Sequence, residues 1–363
     1  MIYLDNASST PMHECISEYS HFGNAGSRTH PIGLNLKSAV ERSRENCAQL
    51  IGVKPEQLIF TSGATESLML VIQGLRRTGS SNWGVVETEH KAALNQVLDV
   101  APDATRFKVN RNGIVQLDDS IPSGVGVSMS VNNETGVINN VWRALKQGGV
   151  NRTIADCTQS IGKLDFDLVD SEIDFMVGSA HKFHGPPGCG FIAVSDIDLW
   201  DELKSPSVGG GQERGVRSGT LNASAIIQTG QVAKWLIENR KAYRDHLRAI
   251  QDAFEAKASE IEGAEVLGSV VKRAPHITSL YIPGVDSEAL IAAVNQKIAI
   301  STGSACTSHS VEPSHVLLAM DDDVEKAEST IRVSYGWQNS IDEVNEAAEV
   351  IATAVHEIRS FFQ

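Results

Sequence analysis

The chain has 363 residues, 41% of them hydrophobic and 21% charged, which is ordinary for a folded, water-soluble protein of about two domains. Its formal net charge of −14 opposes direct binding to nucleic acid, because phosphate contacts need clustered lysine and arginine. No apolar run reaches the ~18 residues of a membrane span and the first residues lack signal-peptide features, so we expect a cytoplasmic protein without membrane contact.

The first half of the chain has the pattern of an α/β domain. Between about residues 55 and 195, short apolar runs alternate with helical patterns, which predicts a largely parallel sheet covered by helices. The predicted strands are 57–60, 83–86, 125–131, 152–155, 175–177 and 190–194. Polar side chains follow most of these strands. Because open α/β sheets bind ligands at the carboxyl ends of their strands, we expect one ligand site there.

The second half predicts a long helix and a smaller α/β domain. After three glycines at 209–211, apolar residues recur at helical spacing over 223–260. Beyond Gly263, candidate strands and helices alternate at 277–282, 287–296, 298–301, 331–334 and 341–361. We therefore predict a large domain over 14–262 and a small domain made of 1–13 and 263–363.

Two residues at predicted strand ends favour pyridoxal phosphate. Lys182 follows a buried strand, and a lysine with a lowered pKa can form a Schiff base with an aldehyde cofactor. Taken alone, a lysine is more often a surface charge. Asp156 ends another strand, and a carboxylate there can keep a pyridine nitrogen protonated, as this cofactor requires. The pair is more specific than either residue.

Two neighbouring segments could complete such a site. Residues 62–67 join a strand to a predicted helix, whose first N–H groups suit a phosphate; an ordinary helix cap is the alternative. His90 follows the next strand and could stack on a cofactor or move protons, whereas a surface or capping histidine is the alternative. His181 and His184 have no acidic or cysteine partner at convincing spacing, so we expect no metal.

The cysteines show no sign of a disulfide framework or a zinc site. They are odd in number, widely spaced and never form a CxxC pair: Cys15, Cys47, Cys157, Cys189 and Cys306. Cys306 is unusual because it lies in the polar run 301–309, whereas free cysteines are usually buried. Its thiol is available to react, or it is merely tolerated at a helix start.

Together these motifs resemble the pyridoxal-phosphate-dependent cysteine desulfurases of the class V aminotransferase family. The resemblance covers nearly the whole chain, through segments 3–11, 60–67, 88–92, 131–134, 158–164, 178–188 and Arg332. It implies the type I fold of these enzymes, with a mostly parallel, seven-stranded-type sheet in the large domain. It also implies that the enzyme converts L-cysteine to L-alanine and forms a persulfide on Cys306.

The resemblance assigns roles around the cofactor. Lys182 carries the pyridoxal phosphate, Asp156 faces its pyridine nitrogen, and Gln159 contacts its ring hydroxyl. His90 stacks on the ring and is a candidate proton carrier. The remaining implied cofactor-binding residues are Ala64, Thr65, Asn133, Ser179 and His181, together with Thr220, which reaches the neighbouring subunit's cofactor and so implies a homodimer. A flexible linker is the alternative for the glycine run before Thr220.

The resemblance also assigns the substrate and sulfur chemistry. Arg332 would hold the carboxylate of the substrate, with Asn133 and Asn6 assisting. Cys306 would be the nucleophile, and its flanks resemble the subgroup whose long cysteine loop passes the persulfide to an acceptor protein. Three positions depart from the family pattern without removing a catalytic group: Asp156-Cys157 for Asp-Ala, Asn24-Ala25 for Asn-Pro, and Gly336-Trp337 at a commonly basic position.

The acceptor and pathway are less specific. The chain ends at Gln363 without the tail that housekeeping members use beside their iron–sulfur scaffold. We therefore expect a dedicated sulfur donor for nucleic-acid or cofactor thiolation, with iron–sulfur cluster supply still open. The alternatives are a class V aminotransferase or another lyase on the same fold, with an incidental Cys306, and a scaffold that binds the cofactor and only recruits partners.

Overall fold

A computed structural model describes most of the chain. The described residues are 1–17, 23–117, 121–165, 168, 170–302 and 312–361. Cys306, the candidate nucleophile, lies outside them. Within the described ranges, no helix is long and apolar enough to cross a membrane.

The strands of the described ranges form three sheets. They are β1 (Ile2–Tyr3), β2 (Leu58–Thr61), β3 (Trp83–Val86), β4 (Thr105–Phe107), β5 (Val125–Met129), β6 (Arg152–Asp156), β7 (Phe175–Ser179), β8 (Gly190–Val194), β9 (Glu265–Val266), β10 (Ile277–Tyr281), β11 (Ile298–Ala299) and β12 (Thr330–Ser334).

The described helices cover these sheets and link them. They are α1 (Pro31–Ile51), α2 (Ala64–Arg77), α3 (Lys91–Val100), α4 (Trp142–Gln147), α5 (Ala223–Ala258), α6 (Ser287–Val294), α7 (His315–Met320), α8 (Val324–Glu328) and α9 (Ile341–Phe361). The long helix predicted over 223–260 is α5, and its buried positions recur at helical spacing along most of its length.

The large sheet confirms the predicted fold class. Its described strands lie in the order β2-β8-β7-β6-β5-β3-β4, and the neighbours from β7 to β4 are parallel, whereas β8 is antiparallel to both of its neighbours. Strand β4 was not predicted, because only one of its three residues is buried and no apolar run marks it. The carboxyl ends of β3, β5, β6 and β7 therefore meet at one edge, as expected.

Two smaller sheets bring the N-terminus to the second half of the chain. Strand β1 pairs in parallel with β11, and the N–H of Ser334 donates to the carbonyl of Leu4 at 2.8 Å. Strands β12, β10 and β9 form an antiparallel sheet. This pairing supports the proposed small domain of 1–13 and 263–363, although its exact boundaries remain a prediction. The two-residue strands β1 and β9 are too short for sequence patterns to indicate.

Candidate active site

A cavity of about 430 Å³ lies at the carboxyl ends of the parallel strands. Ten of the predicted site residues line it: Ala64, Thr65, His90, Asn133, Asp156, Gln159, Ser179, His181, Lys182 and Arg332. Asn6 and Thr220 are not among the lining residues, and Cys306 lies outside the described ranges. Polar residues at or after the ends of five strands, β2, β3, β5, β6 and β7, thus reach one cavity.

Lys182 ends a short 3₁₀ helix that directly follows β7. Its Nζ donates to the backbone carbonyls of Ala7 (2.7 Å) and Ser8 (2.5 Å), so the amine lies against the N-terminal segment. Thr10 fixes the same segment, since its N–H and its hydroxyl both donate to the carbonyl of His181. Residues 7 and 8 line the cavity, although neither was predicted as a site residue.

A second lysine lies behind the first. Lys163 is only 1% exposed, and its Nζ donates to the backbone carbonyl of Lys182 at 2.6 Å. Burial, followed by the charge of Lys182, lowers the pKa of Lys163 to about 7. Lys163 therefore holds the backbone that carries the reactive amine, at the cost of burying its own amino group.

We predict that Lys163 makes stability depend on pH. Its pKa is lowered on folding, so between pH 7 and about pH 10 the unfolded chain binds more protons and the free energy of unfolding rises with pH. The Lys163→Met variant should lose this dependence, which amounts to at most about 1.4 kcal/mol per pH unit. Chemical denaturation of both proteins at several pH values measures the difference. The exposed control Lys204→Met should parallel the wild type, and parallel curves for Lys163→Met would contradict the prediction.

Asp156 and Cys157 are adjacent but face opposite sides of the sheet. Asp156 ends β6, lines the cavity, and accepts a hydrogen bond at Oδ1 from the N–H of Thr158 at 2.9 Å. Cys157 is fully buried in the hydrophobic core, and burial together with the charge of Asp156 raises its thiol pKa well above the usual value. The unusual cysteine therefore packs in the core and is not among the residues lining the cavity.

His90 both lines the cavity and caps a helix. Its Nδ1 accepts the N–H of Ala92 at 3.1 Å, which places the proton of the neutral imidazole on Nε2. Burial lowers the pKa of His90, although the charge of Asp156 opposes this effect. In this arrangement the ring can donate from Nε2, and Nδ1 could act as a base only after releasing the Ala92 N–H.

The start of α2 forms another part of the cavity lining. Its N-cap, Gly63, provides no side-chain cap, and Ala64 and Thr65 line the cavity. A Cβ on Gly190 would lie 2.5 Å from the Cα of Gly63, so glycine at position 190 permits this close approach. The neighbouring His181 has a pKa lowered to about 4, first by burial and then by nearby lysine charges. The backbone N–H groups of the first turn of α2 suit an anion.

Arg332 is buried and held on two sides. Its Nη1 donates to the carbonyl of Asn133 at 3.0 Å, and its Nη2 lies 2.8 Å from Oδ1 of Asp5. Asn6 has a different environment, because its side chain donates to the carbonyl of Ser334 and accepts from Gln338, both at 2.9 Å. The guanidinium is therefore fixed beside the cavity, whereas Asn6 braces the backbone behind it.

The cavity fits pyridoxal phosphate. Three buried polar atoms of its lining have no hydrogen-bond partner among the described residues: Thr158 Oγ1, Asn133 Oδ1 and Arg332 Nε. The amine of Lys182, the carboxylate of Asp156 and the uncapped start of α2 match the aldehyde, the ring nitrogen and the phosphate of the cofactor. Gln159 is already occupied, since its Nε2 donates to Ala7 and its Oε1 lies 3.1 Å from His276 Nε2.

Comparisons with known proteins agree with this arrangement. The family model described as "Aminotransferase class-V" matches residues 2–346. "Cysteine desulfurase IscS" of Pseudomonas syringae pv. tomato is 35% identical and covers 99% of this chain and 94% of that protein. The protein of the same name from Neisseria meningitidis is also 35% identical, covering 99% and 93%.

Solved structures show the same architecture. A NifS-like protein from Rickettsia africae is 25% identical, with a TM-score of 0.85 over 99% of both chains. DndA from Streptomyces lividans is 30% identical, with a TM-score of 0.72 over 87% of this chain and 92% of that chain. The family match and the full-length relatives lead to one conclusion: the chain belongs to the class V aminotransferase family, whose members use pyridoxal phosphate.

Proposed function

We propose that this protein is a pyridoxal-phosphate-dependent cysteine desulfurase. The observation that carries the proposal is that Lys182, Asp156 and Arg332 line one cavity. Relatives named as cysteine desulfurases match 99% of the chain. A structural neighbour, solved as "SspA in complex with cysteine", is 25% identical with a TM-score of 0.78, which supports cysteine as the substrate.

Arg332 binds the carboxylate of the substrate in this proposal. A guanidinium can form two parallel hydrogen bonds to a carboxylate, and the Nε of Arg332, which has no hydrogen-bond partner among the described residues, is available for one of them. Asp5 and the Asn133 carbonyl hold the side chain before the substrate arrives, which reduces the entropy lost on binding. Oδ1 of Asn133, another residue of the cavity lining, is a second buried polar atom with no hydrogen-bond partner in the described ranges.

The remaining residues hold the cofactor and move protons. Bound in this cavity, pyridoxal phosphate would supply an electron sink for negative charge on the substrate's α-carbon. Asp156 would face its ring nitrogen, the start of α2 with Ser179 and His181 would hold its phosphate, and the amine of Lys182 would attach it. Nζ of Lys182 and the imidazole of His90 are the groups best placed in the described lining to carry protons.

Cys306 supplies the sulfur chemistry. Its thiolate attacks the sulfur of the substrate, so that an S–S bond forms and the C–S bond breaks, with the electron pair passing to the carbon that becomes the methyl group of alanine. Overall, one cysteine and the Cys306 thiol give one alanine and one persulfide, and no outside oxidant is needed. Since an ordinary thiol has a pKa of about 8.5, only a few per cent is thiolate at neutral pH without help.

We further propose a homodimer and an acceptor protein as the partners of this enzyme. Thr220 is exposed and is not among the residues described as lining this chain's own cavity, which suits a role at the neighbouring subunit's site in a homodimer. The persulfide of Cys306 would pass to an acceptor protein. Nucleic-acid or cofactor thiolation, iron–sulfur cluster supply and a cytoplasmic location remain predictions.

Product analysis separates desulfuration from amino transfer. We expect the purified protein, given L-cysteine, a thiol reductant and no 2-oxo acid, to form alanine and sulfide in equal amounts over many turnovers. The reductant releases sulfur from the persulfide and so permits turnover. A 2-oxo acid should not raise the rate. An aminotransferase would instead need the oxo acid and convert it to an amino acid without releasing sulfide, and that result would overturn the proposal.

A further inference from the structure

A buried carboxylate lies beside the substrate wall, which is formed by the cavity-lining residues Asn133 and Arg332 that would bind the carboxylate of the substrate. Glu134 follows the cavity-lining Asn133, is 5% exposed, and accepts a hydrogen bond at Oε2 from the hydroxyl of Ser314 at 2.5 Å. Burial raises the pKa of Glu134, whereas the Ser314 hydroxyl and the charges of His315, Arg332 and Lys91 oppose the rise. Burying a carboxyl group is costly unless it is hydrogen-bonded, so the buried Glu134 depends on the hydrogen bond from Ser314.

Ser314 belongs to the C-terminal flank of the segment that contains Cys306. It caps α7, because its Oγ accepts the N–H groups of Val316 and Leu317, both at 3.2 Å. The next residue, His315, places its Nε2 3.0 Å from the carbonyl of Glu89. Two consecutive residues thus tie this flank to the loops that follow β3 and β5.

The N-terminal flank of the same segment is tied to the other side of the substrate wall. Ser301 and Arg332 exchange backbone hydrogen bonds of 3.2 and 2.6 Å. Arg332 in turn donates to the carbonyl of Asn133. A continuous series of contacts therefore links the two flanks through the residues that would bind the substrate carboxylate.

The two functions of Ser314 can be separated. Its oxygen accepts the N–H groups that it caps at the start of α7, whereas its hydroxyl group donates a hydrogen bond to Glu134. Changing Glu134 therefore removes the connection to the substrate wall and leaves the cap acceptor in place. A helix cap alone does not need a buried carboxylate as its partner.

We propose that Glu134 is a positioning residue for sulfur transfer, which acts through Ser314 to fix the C-terminal flank of the Cys306 segment against the substrate wall. This inference rests on the proposed desulfurase function. It assigns Glu134 no contact with substrate or cofactor. Its effect should appear in the transfer of sulfur to Cys306 and not in the binding of cysteine.

Single-turnover kinetics of Glu134→Ala test the inference. We expect the rate of persulfide formation on Cys306 to fall about tenfold or more, because misplaced reacting groups slow a reaction strongly. Cofactor content and the dissociation constant for cysteine, both read from the visible absorbance of the cofactor, should change less than about twofold. Glu134→Gln keeps a carbonyl acceptor for the Ser314 hydroxyl and should recover most of the rate.

Two further variants separate positioning from folding. Ser314→Gly removes the hydroxyl at a small capping cost and should slow sulfur transfer as Glu134→Ala does. Asp323→Ala removes the cap of the adjacent α8, whose Lys326 N–H it accepts at 3.1 Å, and should retain the wild-type rate.

Three results would overturn the inference while leaving the proposed function intact. The first is a wild-type rate of persulfide formation in Glu134→Ala. The second is a parallel loss of rate and cysteine affinity in that variant, which a general structural defect would produce. The third is an equal loss of rate in Asp323→Ala. A wild-type protein that binds cysteine but forms no persulfide would overturn the proposed function, and the inference with it.

Discussion

Lys182→Ala should keep its fold, lose covalent attachment of pyridoxal phosphate, and form alanine at least about 10³-fold more slowly. The amine of Lys182 reaches the cavity wall at Ala7 and Ser8. Lys163 cannot replace it, because its Nζ is buried and donates to the backbone of residue 182 itself. The loss should therefore be far larger than that of a surface lysine.

Visible absorbance and mass measure this loss. The wild-type protein should be yellow, and borohydride reduction should fix the cofactor to Lys182. After the same borohydride treatment, Lys182→Ala should release its cofactor on gel filtration under denaturing conditions. The exposed control Lys204→Ala should retain its cofactor, as the wild type does. Cofactor that stays covalently bound to Lys182→Ala would contradict the assignment.

The central sheet and most of the cavity could be predicted because they follow local rules. Apolar strands end in polar residues at one edge, so Lys182, Asp156 and His90 had to lie near one another once the strands were parallel. Asp156 is the last residue of β6, and because successive side chains alternate in direction at this strand end, Asp156 reaches the cavity while the next residue, Cys157, enters the core. The sequence alone does not show whether the thiol of Cys157 reaches the cavity, because that depends on the exact residue at which β6 ends.

The other site features depend on contacts between distant segments. Ala7 and Ser8 reach Lys182 only because β1 pairs with β11 and Thr10 binds the carbonyl of His181. Glu134 and Lys163 gain their importance from near-complete burial, which no local pattern indicates. For His90, the two sequence alternatives prove compatible, since one side chain both caps α3 and lines the cavity.

Cys306→Ala should abolish formation of alanine from cysteine, by about 10³-fold or more, while cofactor and cysteine still bind. None of the four cysteines of the described ranges lines the cavity. Burial raises the thiol pKa of Cys47, Cys157 and Cys189, and that of the half-buried Cys15 is also raised, chiefly by burial. Cys157→Ala is the matched control and should keep the wild-type rate.

Mass analysis of the cysteine peptides after one turnover with L-cysteine and no reductant identifies the residue that receives the sulfur. We predict one added sulfur atom on the peptide that contains Cys306, with one alanine formed per site. Added sulfur on a different cysteine, or wild-type alanine formation by Cys306→Ala, would contradict the claim that Cys306 is both the nucleophile and the carrier of the sulfur.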